Sequence, residues 1–325
     1  MRAAVARDSA FDGATPAPRG PVLGLDIGGT KLAAGVVAPD GTVHGFVFEP
    51  THGERGPDDG VARLFELGRR ALADSGLAPD DIAGVGIGCG GPLDSDGGVL
   101  IAPLHLPGWN DVPVAELARE AFGHPAVLDN DATAAAAAEH RFGAGRGTRN
   151  MVYLTISTGV GGGVVIDGSL HRGPTGNGGE LGHVTVDWHG RECRGCGRRG
   201  CLEAYASGTS IAERAREAGM DVAGAPEVSA AAAYGDTTAA RVWAETCEAL
   251  GCGITSIANL FEPEVVVLGG GVVRTGEQLL GPVRDVVHRQ AICPQVEIVP
   301  AAFGDAVGVA GAAAVAFERL ATGGG

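Results

Sequence analysis

One pattern occurs twice, far apart in the chain, and it limits the architecture more than any other feature. An apolar run, Val22-Leu-Gly-Leu-Asp-Ile27, enters the turn Gly28-Gly-Thr-Lys31, and Leu32 to Val37 leaves it before a second turn at Pro39-Asp40-Gly41. Much later Met151-Val-Tyr-Leu-Thr-Ile156 enters Ser157-Thr-Gly-Val-Gly-Gly-Gly163, and Val164 to Gly168 leaves it. Apolar, β-branched runs joined by Gly-rich connections read as strand, turn, strand. Two copies of one such unit predict two related lobes. A chain of 325 residues suffices for both, with a cleft between them.

The remaining segments alternate in type. Gly60 to Ser75 is helix-like, Ile82 to Cys89 is a strand that ends in Gly90-Gly-Pro92, and Ala126 to Leu128 is another short strand. From Ala132 to Phe142 nearly every residue is a good helix former, and Gly143 stops the run. Helices over Ser210 to Ala218 and Thr237 to Asn259 follow, then a buried strand over Glu264 to Leu268 ahead of Gly269-Gly-Gly271. Strands alternating with helices through short connections make this an α/β protein. The expected organisation is a disordered leader (1–20), an N-terminal α/β lobe (21–130), a C-terminal α/β lobe (131–318) whose last helix packs back on the first lobe, and a flexible tail (319–325).

The balance of 24 basic against 39 acidic residues leaves a net charge of −15, which argues against a broad phosphate-tracking surface for nucleic acid or anionic membrane. Any phosphate site is therefore local. The N-terminus lacks the sustained apolar core of a signal peptide. The Ala/Val-rich stretch from Ala301 to Phe317 is broken by Gly304, Asp305, Gly308 and Gly311, so it reads as a packed helix and not a membrane span. A soluble, cytoplasmic protein is expected. Of seven cysteines, Cys193, Cys196 and Cys201 crowd together while Cys89, Cys247, Cys252 and Cys293 lie scattered in apolar segments. That is the pattern of a metal site plus buried thiols, not of a disulfide framework. Lys31 is the only lysine in the chain.

The Gly28-Gly-Thr-Lys31 turn combines close backbone approach, exposed amides, a hydroxyl and a point charge, which together suit a phosphate. It is not a Walker A loop, because Thr30-Lys31 stands where Lys-Ser/Thr is required and a strand follows in place of a helix. A plain hairpin turn would have the same glycines, but a solvated lysine had no need to differ from its arginine peers. The second turn, Thr158 to Gly163, has the same use, and the two together describe a cleft that holds a triphosphate from both sides. Gly269-Gly-Gly271 ends a buried strand, either at a ligand-binding sheet edge or simply at a turn into a helix. Asp129-Asn130-Asp131 closes a strand and opens the Ala-rich helix, so Asp131 is a candidate both for the helix N-cap and for a general base kept ionised by the helix dipole.

The densest constellation is Gly178-Gly-Glu-Leu-Gly-His183 followed by Cys193, Cys196 and Cys201-Leu-Glu203. Three thiolates and an imidazole match a closed tetrahedral zinc site that folds a loop around the metal, with His183 or His189 as the fourth ligand. Four protein ligands leave no open position for a zinc hydrolase. Glu180 and Glu203 flank the cluster, either as acceptors for vicinal hydroxyls or as surface carboxylates.

As a set these motifs resemble the ROK family, whose members are bacterial sugar kinases and sugar-responsive repressors with the two-lobed actin/hexokinase-like (ribonuclease H-like) ATPase fold. The carriers are Asp26-Ile-Gly-Gly-Thr-Lys31, Asp129-Asn-Asp-Ala132, Thr158 to Gly163, Gly179-Glu-Leu-Gly-His183, Cys196-Gly-Arg-Arg-Gly-Cys-Leu-Glu203 and Gly269 to Gly271. The resemblance runs from Val22 to about Phe317 and implies ATP-dependent phosphorylation of a hexose, by default glucose. N-acetylmannosamine, N-acetylglucosamine, fructose or a cyclitol are the alternatives. It implies Asp131 as the base, with Asn130, Glu180, His183 and Glu203 on the sugar hydroxyls. Gly28, Gly29, Thr30, Lys31, Thr158, Gly159 and Gly161 would contact phosphates, and Gly269, Gly270 and Gly271 would lie near the adenosine. Asp26 would hold the Mg2+-bound phosphates, directly or through water. Zn2+ on His183, Cys193, Cys196 and Cys201 would be structural, and the protein a homodimer or homotetramer.

The chain departs from the family pattern twice. Arg194-Gly195 puts one residue more than usual between the first two cysteines, and His105 stands where an asparagine usually faces the sugar, with Asn110 nearby. A sugar-sensing repressor would also need a DNA-binding domain, for which the roughly twenty residues ahead of the first strand are too few.

Overall fold

The structure is a computed structural model and describes residues 20–292 and 295–322. Most of the expected leader, Cys293 and the last residues of the tail lie outside the described residues. The first half of the chain runs β1 (Val22–Ile27), β2 (Lys31–Val37), β3 (Val43–Pro50), α1 (Pro57–Ser75), β4 (Gly84–Cys89), the small hairpin β5 (Leu93–Asp94) and β6 (Val99–Leu100), α2 (Val114–Phe122) and β7 (Ala126–Asn130). Helix α3 (Asp131–Arg141) follows at once. The second half runs β8 (Met151–Ile156), β9 (Val160–Ile166), β10 (Ser169–Leu170), α4 (Glu203–Ala206), α5 (Gly208–Glu217), α6 (Ala225–Ala233), α7 (Thr237–Phe261), β11 (Val265–Gly269), α8 (Glu277–Gln290), β12 (Glu297–Pro300) and α9 (Val307–Thr322).

The sheet orders are β3-β2-β1-β4-β7 and β10-β9-β8-β11-β12. In each, the opening hairpin and its outer neighbour are antiparallel while the two later strands join parallel. The duplicated strand-turn-strand pattern is thus the start of a duplicated sheet topology.

Period-two alternation decides what each face of β1 meets. Leu23, Leu25 and Ile27 pack with α1 residues such as Leu64 and Phe65, while Val22 packs with Val309, Ala313 and Phe317 of α9. Gly24 and Asp26 lie on that second face. A Cβ on Gly24 would run into the Val309 carbonyl oxygen, and one on Gly86 of β4 into that of Ala312. These glycines let α9 lie almost on the backbone of the first sheet. In the second sheet Val152, Leu154 and Ile156 face one core, and Met151 and Tyr153 pack with Ala135 and Ala136 of α3. Helices α3 and α9, both rich in alanine, pack on each other between the two sheets.

Two sequence expectations change here. Gly161, Gly162 and Gly163 belong to β9, paired with Thr155, Leu154 and Tyr153, so the second turn is only Ser157-Thr158-Gly159. Gly161 and Gly163 have no room for a side chain because Ala132 and Ala136 of α3 cross them at 2.9 and 2.5 Å from where a Cβ would be. Helix α9 begins only at Val307 and continues through residues expected in the tail. Among the described residues no helix is long and apolar enough to cross a membrane.

Candidate active site

The β7–α3 junction lies where the two sheets meet. Strand β7 continues past Leu128 through Asn130, and Asn130 (φ −61°, ψ 138°) is the N-cap: its Oδ1 accepts from the amides of Ala132 at 3.0 Å and Thr133 at 3.2 Å. Asp131 is the first helical residue, and its Oδ1 accepts from the Ala132 amide at 2.7 Å. The sequence made Asp131 a candidate for both the cap and the base. Local geometry gives the cap to Asn130. Asp131 is exposed by area, but only to the trough between the lobes. Surrounding protein therefore pushes its carboxyl up from the ordinary aspartate value, against the opposing pull of the Ala132 amide and His105.

Three cavities meet along this trough. One of about 410 Å³ is lined by His105, Asn130, Asp131, Gly161, Glu180 and His183, together with Gly90-Gly-Pro92, Leu104 and Asn177. A second of about 390 Å³ is lined by Asp26, Lys31, Asp131, Gly270, Gly271 and Arg274. A third of about 640 Å³ is lined by Thr158, Thr209, Arg216, Trp243, Gly271 and Arg274. Asp131 belongs to the first two, while Ser157, Gly271 and Arg274 belong to the second and third. The first is rich in hydroxyl-binding groups, the second combines carboxylates with Lys31, and the third is larger and more apolar.

Not every predicted residue lines these spaces. Gly28, Gly29, Thr30, Gly159 and Gly269 line none of the three. Gly29 backs onto His105, and the Gly28 carbonyl accepts from the Thr51 hydroxyl at 2.6 Å. Asn110 is exposed and off the trough. Glu203 is not among the residues lining the three cavities, and accepts from the Val160 amide at 3.0 Å and the Cys193 thiol at 3.4 Å. Sequence reasoning missed Asn177, Arg274 and Asp305. Arg274 could have been found from its place just after Gly269-Gly-Gly271, whereas nothing local marks Asp305, whose carbonyl accepts from Lys31 Nζ at 3.3 Å.

Burial, and next the charge of Asp131, push the Asp26 carboxyl from 3.8 to about 7, with Lys31 pulling the other way. The folded state therefore holds a proton that the unfolded state has released. The cost of an ionised Asp26 grows as pH rises from about 4 to about 7 and is complete above that. Asp26→Asn is expected to stabilise the ligand-free protein by roughly 1–3 kcal/mol at pH 8, discounted for water in the trough, and by much less at pH 5. Thermal melts at the two pH values check this. A gain that does not grow with pH would contradict it.

Beside the first cavity, His183, Cys193, Cys196 and Cys201 bring their ligand atoms within 4.8 Å of one another. Cys196 and Cys201 sulfurs are 3.5 Å apart, and Cys193 Sγ is 3.7 Å from His183 Nδ1. A tetrahedral zinc with ordinary bond lengths spaces such atoms by about 3.6–3.8 Å, so the donor set fits. The extra residue between Cys193 and Cys196 is absorbed without displacing a ligand. His183, and not His189, is the fourth member, and its Nε2 lies 3.9 Å from Glu180 on the cavity side.

Two sheets of one topology, with a trough joining a hydroxyl-binding cavity to a phosphate-sized and a nucleotide-sized one, have the actin/hexokinase-like architecture of an ATP-dependent sugar kinase. The sequence model described as ROK family matches residues 22–319. The chain is 36% identical over 320 residues to a glucokinase of Thermotoga maritima, covering 93% of this chain and 99% of that one. The ROK hexokinase from Thermus thermophilus superposes with a TM-score of 0.80 at 38% identity, over 93% of this chain and 100% of the other. A ROK family glucokinase from Streptomyces griseus, solved in complex with glucose and AMPPNP, gives 0.75 and 32% over 91% and 99%. The chain belongs to the ROK family.

Proposed function

We propose that the protein moves the γ-phosphoryl group of ATP onto a hydroxyl of glucose, with Asp131 as general base. One observation carries this: of the two residues that line both the sugar-side and the phosphate-side cavities, Asp131 and Ala132, Asp131 alone has a side chain that can accept a proton. A hydroxyl held by Asn130, Glu180 and His183 would meet the end of a triphosphate beside Lys31. Asp131 would orient that hydroxyl and take its proton as the new O–P bond forms and the bond to the departing ADP breaks. Lys31 and the amides near Gly270 and Gly271 would stabilise charge on the transferring group. Magnesium fits the carboxylates of the phosphate cavity. When held there by Asp26, directly or through water, it supplies further positive charge. The Cys3His cluster would hold a structural zinc and so fix His183. Reduced cysteines at such a site suit the cytoplasm, and relatedness to the family suggests a dimer or tetramer.

A second reading has its own support. Leu104 is 74% exposed yet lines the sugar-side cavity with Pro92 and Leu93, an apolar rim suited to the methyl of an acetamido group. The test is ADP release from Mg-ATP with glucose, mannose, fructose, N-acetylglucosamine, N-acetylmannosamine and cyclitols, against a no-sugar control. Preference for glucose supports the first reading, and preference for an acetamido sugar selects the second. Silence across the panel while sugar still binds would overturn the kinase reading.

A further inference from the structure

We propose that Arg172 is a positioning residue that clasps the two walls of the sugar-side cavity to each other. The inference deepens the sugar-kinase reading and rests on it. Arg172 follows β10, and each of its three guanidinium nitrogens donates a hydrogen bond. Nε donates to Asp129 Oδ2 at 2.9 Å, and the two terminal nitrogens donate to the Glu318 oxygens at 3.1 and 3.2 Å.

Asp129 is the more telling partner, because its side chain is only 4% exposed and stands two residues before Asp131. Its Oδ1 accepts from the Asn130 amide at 2.9 Å, and Arg319 approaches its Oδ2 at 3.5 Å. The peptide that leads into the cap and the base is thereby fixed through the Asp129 carboxylate. A buried carboxylate is retained only when its lone pairs are matched in good geometry. Here Arg172 supplies the closer of the two guanidinium contacts.

The backbone of Arg172 holds the opposite wall. Its carbonyl accepts from the Gly178 amide at 2.8 Å, closing residues 172–178 into a loop. A Cβ on Gly178 would lie 2.7–2.9 Å from backbone atoms of His171 and Arg172, so the closure is tight. Asn177 within this loop, and Gly179 and Glu180 directly after it, line the cavity that Asn130 and Asp131 also line. One residue therefore ties the loop of the second half of the chain to the end of β7 in the first, and both to α9. Nothing in the phosphate-side or nucleotide-side lining includes residues 172–180.

The discriminating variant is Arg172→Lys, since an ammonium keeps the charge that Asp129 needs but cannot serve Asp129 and Glu318 in a fork. Expected are a Tm near wild type, a sugar KM raised about tenfold or more, and an ATP KM within about twofold of wild type. Hydrogen exchange of the amides in 172–180 should quicken by about tenfold while 208–216 stays unchanged. Arg172→Met should show the same pattern more strongly. Unchanged exchange in 172–180 of Arg172→Lys, or an ATP KM rising in step with the sugar KM, would overturn the clasp. If the wild-type protein turns over no sugar, the kinase reading fails, and the exchange measurement still decides the clasp.

Discussion

Asp131→Asn is expected to lower kcat by about 10²–10⁴-fold while changing sugar affinity only a few-fold. Asparagine keeps the shape of the side chain and removes its ability to accept a proton in the transition state. The fold should tolerate the change, because the helix is capped by Asn130 and not by Asp131. Sugar contacts should persist, since Asn130, Glu180 and His183 line the cavity independently of it. The carboxyl of Asp131 is pushed up by its surroundings. A base must be deprotonated, so kcat/KM of the wild type should fall as pH drops through that raised value, above the ordinary aspartate range. The residual activity of Asp131→Asn should lack this acid limb. Single-turnover kinetics and calorimetry check both halves. Turnover within tenfold of wild type would remove Asp131 from the role of base.

The same junction shows where sequence stops. Asn130 and Asp131 are both strong capping residues, and only the φ/ψ at which the strand ends decides between them. Glycine content was legible as a signal but not in its cause. Gly24, Gly86 and Gly163 are small because α9 and α3 cross the sheets there, and no local pattern separates that from a phosphate turn. The duplicated hairpin, by contrast, was readable because β1, β2, β8 and β9 are buried on both faces and therefore nearly all apolar. Strand β3 went unseen for the converse reason: it is an edge strand with alternating exposure. The Arg172–Asp129–Glu318 contacts join residues far apart in the chain, so spacing carries no trace of them. The metal cluster was legible because its four members lie within nineteen residues and three of them are cysteines.

Cys201→Ser should cost the protein its metal and, with it, the ordered wall behind the sugar. Protein purified without added metal is expected to carry about one equivalent of zinc per chain, and the variant close to none. Between β10 and α4 the chain has little regular structure: a short 3-10 turn at Leu181–His183 and isolated bridges joining Thr185 to Cys201 and Glu192 to Arg199. A segment of that length without helices or strands needs another cross-link. Cys193 and Cys201 are fully buried, and burial pushes the Cys193 thiol up to about 12. Without a metal these groups would be neutral thiols that contribute little cohesion. With it they become thiolate ligands, and the cluster is attached to the site through His183, which directs Nδ1 toward Cys193 and Nε2 toward Glu180. Glu203, beside the cluster, accepts from the Val160 amide at the start of β9. The separate cores of the two sheets do not include these ligands, so Cys201→Ser should keep most of its helix and strand content. Limited proteolysis should then cut within 183–201, and the sugar KM should rise at least about tenfold, as for loss of groups that orient a site. Metal analysis beside those two assays separates the outcomes. A variant that binds sugar normally after losing its zinc would confine the metal to local folding, and one that retains a full equivalent would remove Cys201 from the ligand set.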